Sequence, residues 1–345
     1  MHVDSSEQIR AVVQHRLGNW RDARVETIPT PQPASGQVLI GTEAASLNFA
    51  DLLMLEGKYQ HKAPLPYVPG RDAAGTVIAV GDAVTGFRPG DRVVATMNYG
   101  AFAEATVAAA SACQKLPTGV PFEAAAACGT GIPTIVAAMK LRARLQPGEW
   151  VLISGAAGGM GSLAVSYAKA IGARAVALVS SAEKERTVRE LGAELVVRTD
   201  EIPDLKADLR AALQAHDLDG VDAAIDMVGG EAFEAMLRCI RPEGRLVVVG
   251  FASGQIPNVA ANYLLLKDIA VIGSSITRLL QNGPAAFVQL CDEAYAMLAN
   301  GRLHVPIDSR HSLDDFTAAA ERLAARKAAG KVILLPQPQR PQQPR

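Results

Sequence analysis

The chain has 345 residues, which at ~100–200 residues per domain implies two domains rather than one. Its 34 Lys and Arg balance 35 Asp and Glu, a formal net charge of -1 that argues against a basic footprint for nucleic acid and against docking on anionic lipid. With 49% apolar and 20% charged residues the bulk is not disordered, and an apolar share rich in Ala, Gly and Val suits helix-on-sheet packing.

In chain order, residues 1–15 hold no apolar core of a secretory signal. Pro29, Pro31 and Pro33 exclude a helix before the first strand-like run, 37–40. Further strand-like runs at 75–80 and 91–95 are bounded by Gly, Pro or Asp, so the part up to about residue 125 reads as β-rich and turn-dense. From Gly148 the rhythm changes. Apolar strands at 150–154, 175–179, 195–197, 221–227 and 245–250 alternate with helix-like segments at 162–171, 182–191, 202–215 and 232–240. That alternation predicts right-handed βαβ crossovers and a doubly wound parallel sheet covered on both faces, an α/β fold. After the run 269–273, helices are expected over 284–300 and 314–329, then a last strand over 331–335. The tail 336–345 is a Pro, Gln and Arg mixture expected to be disordered.

Two uncharged stretches, 150–168 and 246–266, approach membrane-spanning length. Glycines at 155, 158, 159 and 161 interrupt the first, and Gln255, Pro257, Asn258 and Asn262 the second, so both are expected to be buried strand, turn and loop rather than membrane spans. Cys113, Cys128, Cys239 and Cys291 lie far apart with no Cys-x-x-Cys pair, which points to reduced thiols and a cytoplasmic protein.

The sharpest local signal is Ile153-Ser154-Gly155-Ala156-Ala157-Gly158-Gly159-Met160-Gly161, between a strand and a helix. Small residues there let the backbone approach a pyrophosphate at a helix N-terminus. The bland alternative is a tight strand–helix connection without a ligand. An NAD site usually carries an acid at the end of the next strand, ~20 residues on. Here that place reads Val179-Ser180-Ser181-Ala182, followed by Lys184, and hydroxyls plus a cation suit the 2′-phosphate of NADP(H). Alternatively Ser181 only caps the helix and Lys184 is solvated, with Glu183 as a contrary charge.

Taken with Asn48-Phe49-Ala50-Asp51, Gly57-Lys58-Tyr59, Pro69-Gly70-Arg71-Asp72-Ala73-Ala74-Gly75-Thr76-Val77, Gly90-Asp91-Arg92-Val93, Leu191-Gly192-Ala193 and Gly250-Phe251-Ala252-Ser253-Gly254, this turn resembles the medium-chain dehydrogenase/reductase superfamily, in its zinc-free quinone oxidoreductase branch. The resemblance runs from about residue 10 to 335. It implies a GroES-like catalytic domain over 1–127, a Rossmann NADP(H)-binding domain over 128–268, and a segment 269–335 carrying the last Rossmann strand and the return to the catalytic domain. It also implies a homodimer paired through the strand around 269–273. By position, Asn48 and Tyr59 would line the substrate and nicotinamide pocket, with Thr134, Phe251 and Ser253 beside the nicotinamide. Gly158, Gly159 and Met160 would cradle the pyrophosphate, and Ser181 with Lys184 would hold the 2′-phosphate. Leu53, Thr199 and Met160 depart from residues common among such proteins.

Zinc-dependent relatives place Cys and His where this chain has Ser46 and Arg71, and the six histidines show no metal spacing, so no metal is expected. Hydride delivery to a quinone or enone spreads negative charge over a π system, and one hydrogen-bond donor near the carbonyl oxygen then suffices. Tyr59 is the candidate donor, with pocket lining as its alternative role; Asn48 orients substrate or nicotinamide. The leading function is zinc-independent, NADPH-dependent reduction of quinones or related conjugated carbonyls. Reduction of an enone or enoyl-thioester double bond is the first alternative, and an NADPH-binding sensor with little catalysis the second.

Overall fold

The structure, a computed structural model, describes residues 7–277, 279 and 285–337. The chain divides into two compact units: the chain up to Thr130 together with the segment from Ile307 onward, and Gly131–Pro306.

The first unit opens with a two-stranded antiparallel ribbon, β1 (Gln8–Val13) and β2 (Arg24–Pro29). The long strand β3 (Gln37–Leu47) follows, then a short helix, α1 (Phe49–Leu55). Next come β4 (Asp72–Val80), β5 (Arg92–Thr96), β6 (Ala105–Ala109), β7 (Cys113–Lys115) and a helix, α2 (Phe122–Cys128). Gly75 is required where β4 crosses β3, because a Cβ there would collide with the Gly41 carbonyl oxygen.

The second unit begins at α3 (Gly131–Val136), which runs into a π-helical turn over Ala137–Arg142. Strand and helix then alternate: β8 (Trp150–Ile153), α4 (Gly159–Ala170), β9 (Arg174–Val179), α5 (Ala182–Leu191), β10 (Leu195–Arg198) and α6 (Leu205–Gln214). They continue as β11 (Val221–Asp226), α7 (Gly230–Cys239), β12 (Ile240–Val248), α8 (Ala261–Lys267), β13 (Ala270–Gly273) and α9 (Ala285–Ala299). All six strands are parallel, in the order β10-β9-β8-β11-β12-β13, the doubly wound sheet expected from the alternation. Leu152, Val176, Leu209, Ala224 and Phe233 belong to one buried cluster between sheet and helices.

The chain then returns to the first unit with β14 (Ile307–Ser312), α10 (Phe316–Ala324) and β15 (Lys331–Leu335). Strand β15 pairs antiparallel with β3, so the mixed sheet reads β14-β15-β3-β4-β5-β7, with β6 also on β3. Its core gathers Leu47, Leu55, Phe102, Phe316 and Leu334.

Two expectations are corrected. Neither uncharged stretch is all buried strand, turn and loop: 150–168 runs into α4, and the end of 246–266 forms α8, with Leu265 and Leu266 81% and 80% exposed. The helix expected over 314–329 spans only Phe316–Ala324, because Arg326 takes a left-handed φ of 56°. The expected disorder of the tail falls mostly on 338–345, outside the described residues, as does Pro284. No single helix among the described residues is long and apolar enough to cross a membrane.

Candidate active site

Chain order and sheet order diverge between β8 and β11, the neighbours where the winding reverses. Ligands of such sheets bind outside the carboxyl ends of the strands at that point. Ser154 follows β8 and Asp226 ends β11, and there the Ser154 hydroxyl donates to Asp226 Oδ1 at 2.7 Å. Asp226 is fully buried and also accepts the N–H groups of Val228 and Gly229, each at 3.0 Å. Its charge is therefore balanced by aligned dipoles; no ion pair reaches it among the described residues. The loop so fixed accepts, at the carbonyls of Met227 and Val228, the N–H groups of Ala252 (3.0 Å) and Ser253 (2.9 Å). Phe251 and Ser253 thus owe their placement to Asp226. Sequence reading includes Ser154 only as part of the turn motif and gives neither it nor Asp226 a role; the available signal is a polar residue closing each of two apolar strands.

Beside them lies the glycine turn. Gly155 has φ 57°, and Gly158 precedes α4 with its N–H on the Gly155 carbonyl at 2.9 Å. A Cβ on Gly161 would collide with the Gly155 carbonyl oxygen, so only glycine lets α4 start this close to β8. The first amides of α4, from Gly159 and Met160, have no intrahelical acceptor. The geometry of the turn therefore suits an anion, with a helix dipole behind it. Thr134 is buried in α3.

At the end of β9 no acid appears. Ser181 caps α5, its hydroxyl accepting the Lys184 N–H at 3.4 Å, while Lys184 Nζ donates to Ser180 Oγ at 3.1 Å. The cap and the ammonium are thus held on one turn of chain, and the Ser181 hydroxyl retains its own hydrogen for a further bond.

In the first unit Asn48 stands at the entrance of α1 in a buried network. Lys331 Nζ, from β15, donates to Asn48 Oδ1 at 2.6 Å, and Asn48 Nδ2 donates to Asp72 Oδ2 at 2.9 Å and to the Ser46 carbonyl at 3.2 Å. An ammonium only donates and a carboxylate only accepts, so the amide has one possible orientation. Asp72 further accepts from Thr130 through its N–H (2.9 Å) and hydroxyl (2.6 Å). Asp51 reaches back to the Asn48 N–H at 2.7 Å. Burial pushes the Asp51 carboxyl up to about 7, against the pull of that N–H and with Asp72 adding to the rise. Lys331 is 3% exposed, and burial lowers its pKa while Asp72 opposes the shift. Sequence reading missed Lys331, which lies 283 residues from its partner.

Tyr59 is half-buried, and its hydroxyl accepts from Arg71 Nη1 at 2.7 Å. Neither of the positions that the resemblance equates with zinc ligands fits that metal. Ser46 is a fully buried hydroxyl without a partner among the described residues, and Arg71 brings a permanent positive charge. Among the described residues no group of three or more His, Cys, Asp or Glu side chains is placed to hold a metal ion.

A GroES-like sheet and a doubly wound sheet with a tight glycine turn and a helix start at its switch point are the frame of a dehydrogenase-type oxidoreductase. The alcohol dehydrogenase GroES-like domain matches residues 34–119, and the zinc-binding dehydrogenase family matches 159–293. A quinone oxidoreductase-like protein 2 homolog from Nematostella vectensis is 33% identical over 94% of this chain and 88% of its own. A quinone oxidoreductase from Pseudomonas aeruginosa is 33% identical over 88% of this chain and 93% of its own. A mycobacterial structure complexed with NADPH superposes with a TM-score of 0.87 at 31% identity, covering 95% of this chain and all of the other. The chain belongs to the medium-chain dehydrogenase/reductase superfamily, in its quinone oxidoreductase branch.

Proposed function

We propose that this oxidoreductase uses NADPH to reduce quinones or related conjugated carbonyls without zinc. The observation that carries the reading is the glycine cradle at the switch point, followed by a β9 end that offers Ser181 and Lys184 in place of an acid. The free amides of Gly159 and Met160 suit the pyrophosphate, which the bare backbone of Gly158 lets come close, and Ser181 and Lys184 suit the 2′-phosphate. Thr134, Phe251 and Ser253 border the nicotinamide side. Bound NADPH supplies a hydride. Tyr59 donates a hydrogen bond to the acceptor oxygen as negative charge develops there, and Asn48, fixed by Lys331 and Asp72, orients the reactants. Zinc independence is supported by Ser46 and Arg71, since a guanidinium repels the divalent cation an alcohol dehydrogenase needs.

The open edge of β13, with Leu265 and Leu266 exposed on the preceding helix, supports a homodimer paired through that strand. Four unpaired cysteines suit a cytoplasmic protein.

Equilibrium titration by nicotinamide fluorescence tests the cofactor assignment. NADPH should bind more tightly than NADH, and Lys184→Glu should weaken NADPH by about 1–3 kcal/mol, the scale of a lost charge-assisted bond. Equal affinity for the two cofactors in the unaltered protein would overturn it.

A further inference from the structure

Arg71 is 8% exposed, yet no carboxylate pairs with it within 4 Å among the described residues. The guanidinium's one hydrogen-bonded partner among the described residues is the Tyr59 hydroxyl, at 2.7 Å, and its carbon lies 5.4 Å from the Tyr59 ring centroid. Its Nε is buried without a partner. A buried cation that forgoes an ion pair and turns to a phenol is costly unless the arrangement serves something else.

The donor inventory says what it serves. A guanidinium carries only donors, so the Tyr59 oxygen must accept, and its own hydrogen cannot point at Arg71. That hydrogen has no other acceptor among the described residues, because the bond from Arg71 is the only one the Tyr59 hydroxyl makes. The O–H is therefore turned away from Arg71, and a hydroxyl that already accepts from a cation donates more strongly. Asp51 and Asp72 act on the guanidinium only through space, and each already accepts bonds in the Asn48 network.

We propose that Arg71 is a positioning residue: it holds the Tyr59 hydroxyl as an outward, cation-backed donor for the oxyanion of a neutral conjugated carbonyl acceptor. This rests on the donor role of Tyr59 given above. When the acceptor carbon receives the hydride, its electron pair shifts to oxygen; Tyr59 hydrogen-bonds that oxyanion and keeps its own proton, and solvent water protonates the product. The bond from Arg71 strengthens the Tyr59 donor most when the acceptor oxygen is anionic, so it favours the transition state over the bound substrate.

A double-mutant cycle on the full chain tests this. Single-turnover NADPH oxidation by a simple p-quinone is followed in wild type, Tyr59→Phe, Arg71→Met and the double variant. Arg71→Met should slow the step on the order of tenfold when Tyr59 is present, and less than about twofold in the Tyr59→Phe background, with NADPH affinity retained. Arg71→Lys, which keeps a charged donor, should recover part of the rate and serves if the Met variant does not fold. In the cofactor-free protein, the ring 13Cζ resonance of Tyr59 should move in Arg71→Met and less in Arg71→Lys. Equal slowing in both backgrounds, or an unmoved resonance, would overturn the role of Arg71. An unchanged rate in Tyr59→Phe would instead overturn the donor reading beneath it.

Discussion

Asp51 is 1% exposed, its Oδ1 has no partner, and it faces Asp72, Arg71 and Lys331 with the buried Tyr67 hydroxyl nearby. Its carboxyl rises from an ordinary 3.8 to about 7. Between those values the folded chain binds a proton that the unfolded chain has lost, so this group's contribution to stability is full below the lower value and fades as pH rises through the upper one. Asp51→Asn keeps an acceptor for the Asn48 N–H but carries no charge. Its unfolding free energy relative to wild type should therefore increase by about 1–3 kcal/mol from pH 5 to pH 8. Denaturant unfolding at several pH values checks this, and a pH-independent difference would refute it. At this scale the sequence reveals residue types better than partners. Asp51 and Asp72 read as structural residues that bond backbone or Arg71 and Arg92, and they do bond backbone inside the unit. Asp51 takes the Asn48 N–H and Asp72 the Thr130 N–H, Asp72 also accepting from the Asn48 and Thr130 side chains, while neither pairs with an arginine among the described residues. Lys331 could not be found, because nothing local ties a lysine at the start of a final strand to an asparagine near the other end of the chain.

The elements most legible in the sequence are those with chemistry at both ends. The helix expected over 182–191 spans Ala182–Leu191, capped by Ser181 and stopped by Gly192 at φ 100°. The helix expected from 202 starts at Leu205, because Pro203 precedes the Asp204 cap, whose carboxylate takes the Ala207 N–H at 2.9 Å. The short helices α1, α2 and α8 gave no readable period; seven residues cover two turns, and tertiary packing decides them. The glycine turn was readable as a turn but not as a steric necessity, which lies in the approach of Gly161 to the Gly155 carbonyl. Gly161→Ala should destabilise the protein by about 1–3 kcal/mol and weaken NADPH at least ~10-fold, about 1.4 kcal/mol. Calorimetry of the variant with and without NADPH measures both, and unaltered cofactor binding would show that α4 does not need this approach.

For the molecule as a whole, the balanced charge, the two sheets and the return of the chain to β3 at its end are those of an oxidoreductase, and the chemistry proposed for it rests on hydrogen-bond donors. The fold class was legible because strand–helix alternation is a long-range pattern written in local residues. What the first unit does was less legible, since its Asn48, Tyr59, Arg71 and Lys331 are gathered by antiparallel pairing of strands far apart in sequence. The most direct measurement of metal-free reduction is NADPH oxidation by a panel of quinones, enones and enoyl thioesters, with NADP reduction by secondary alcohols followed alongside, using protein shown by elemental analysis to lack zinc. Expected is turnover with quinones or enones at a rate that added zinc or chelator leaves unchanged, and no oxidation of the alcohols by NADP. Turnover that appears only on adding zinc, or robust alcohol oxidation, would contradict it.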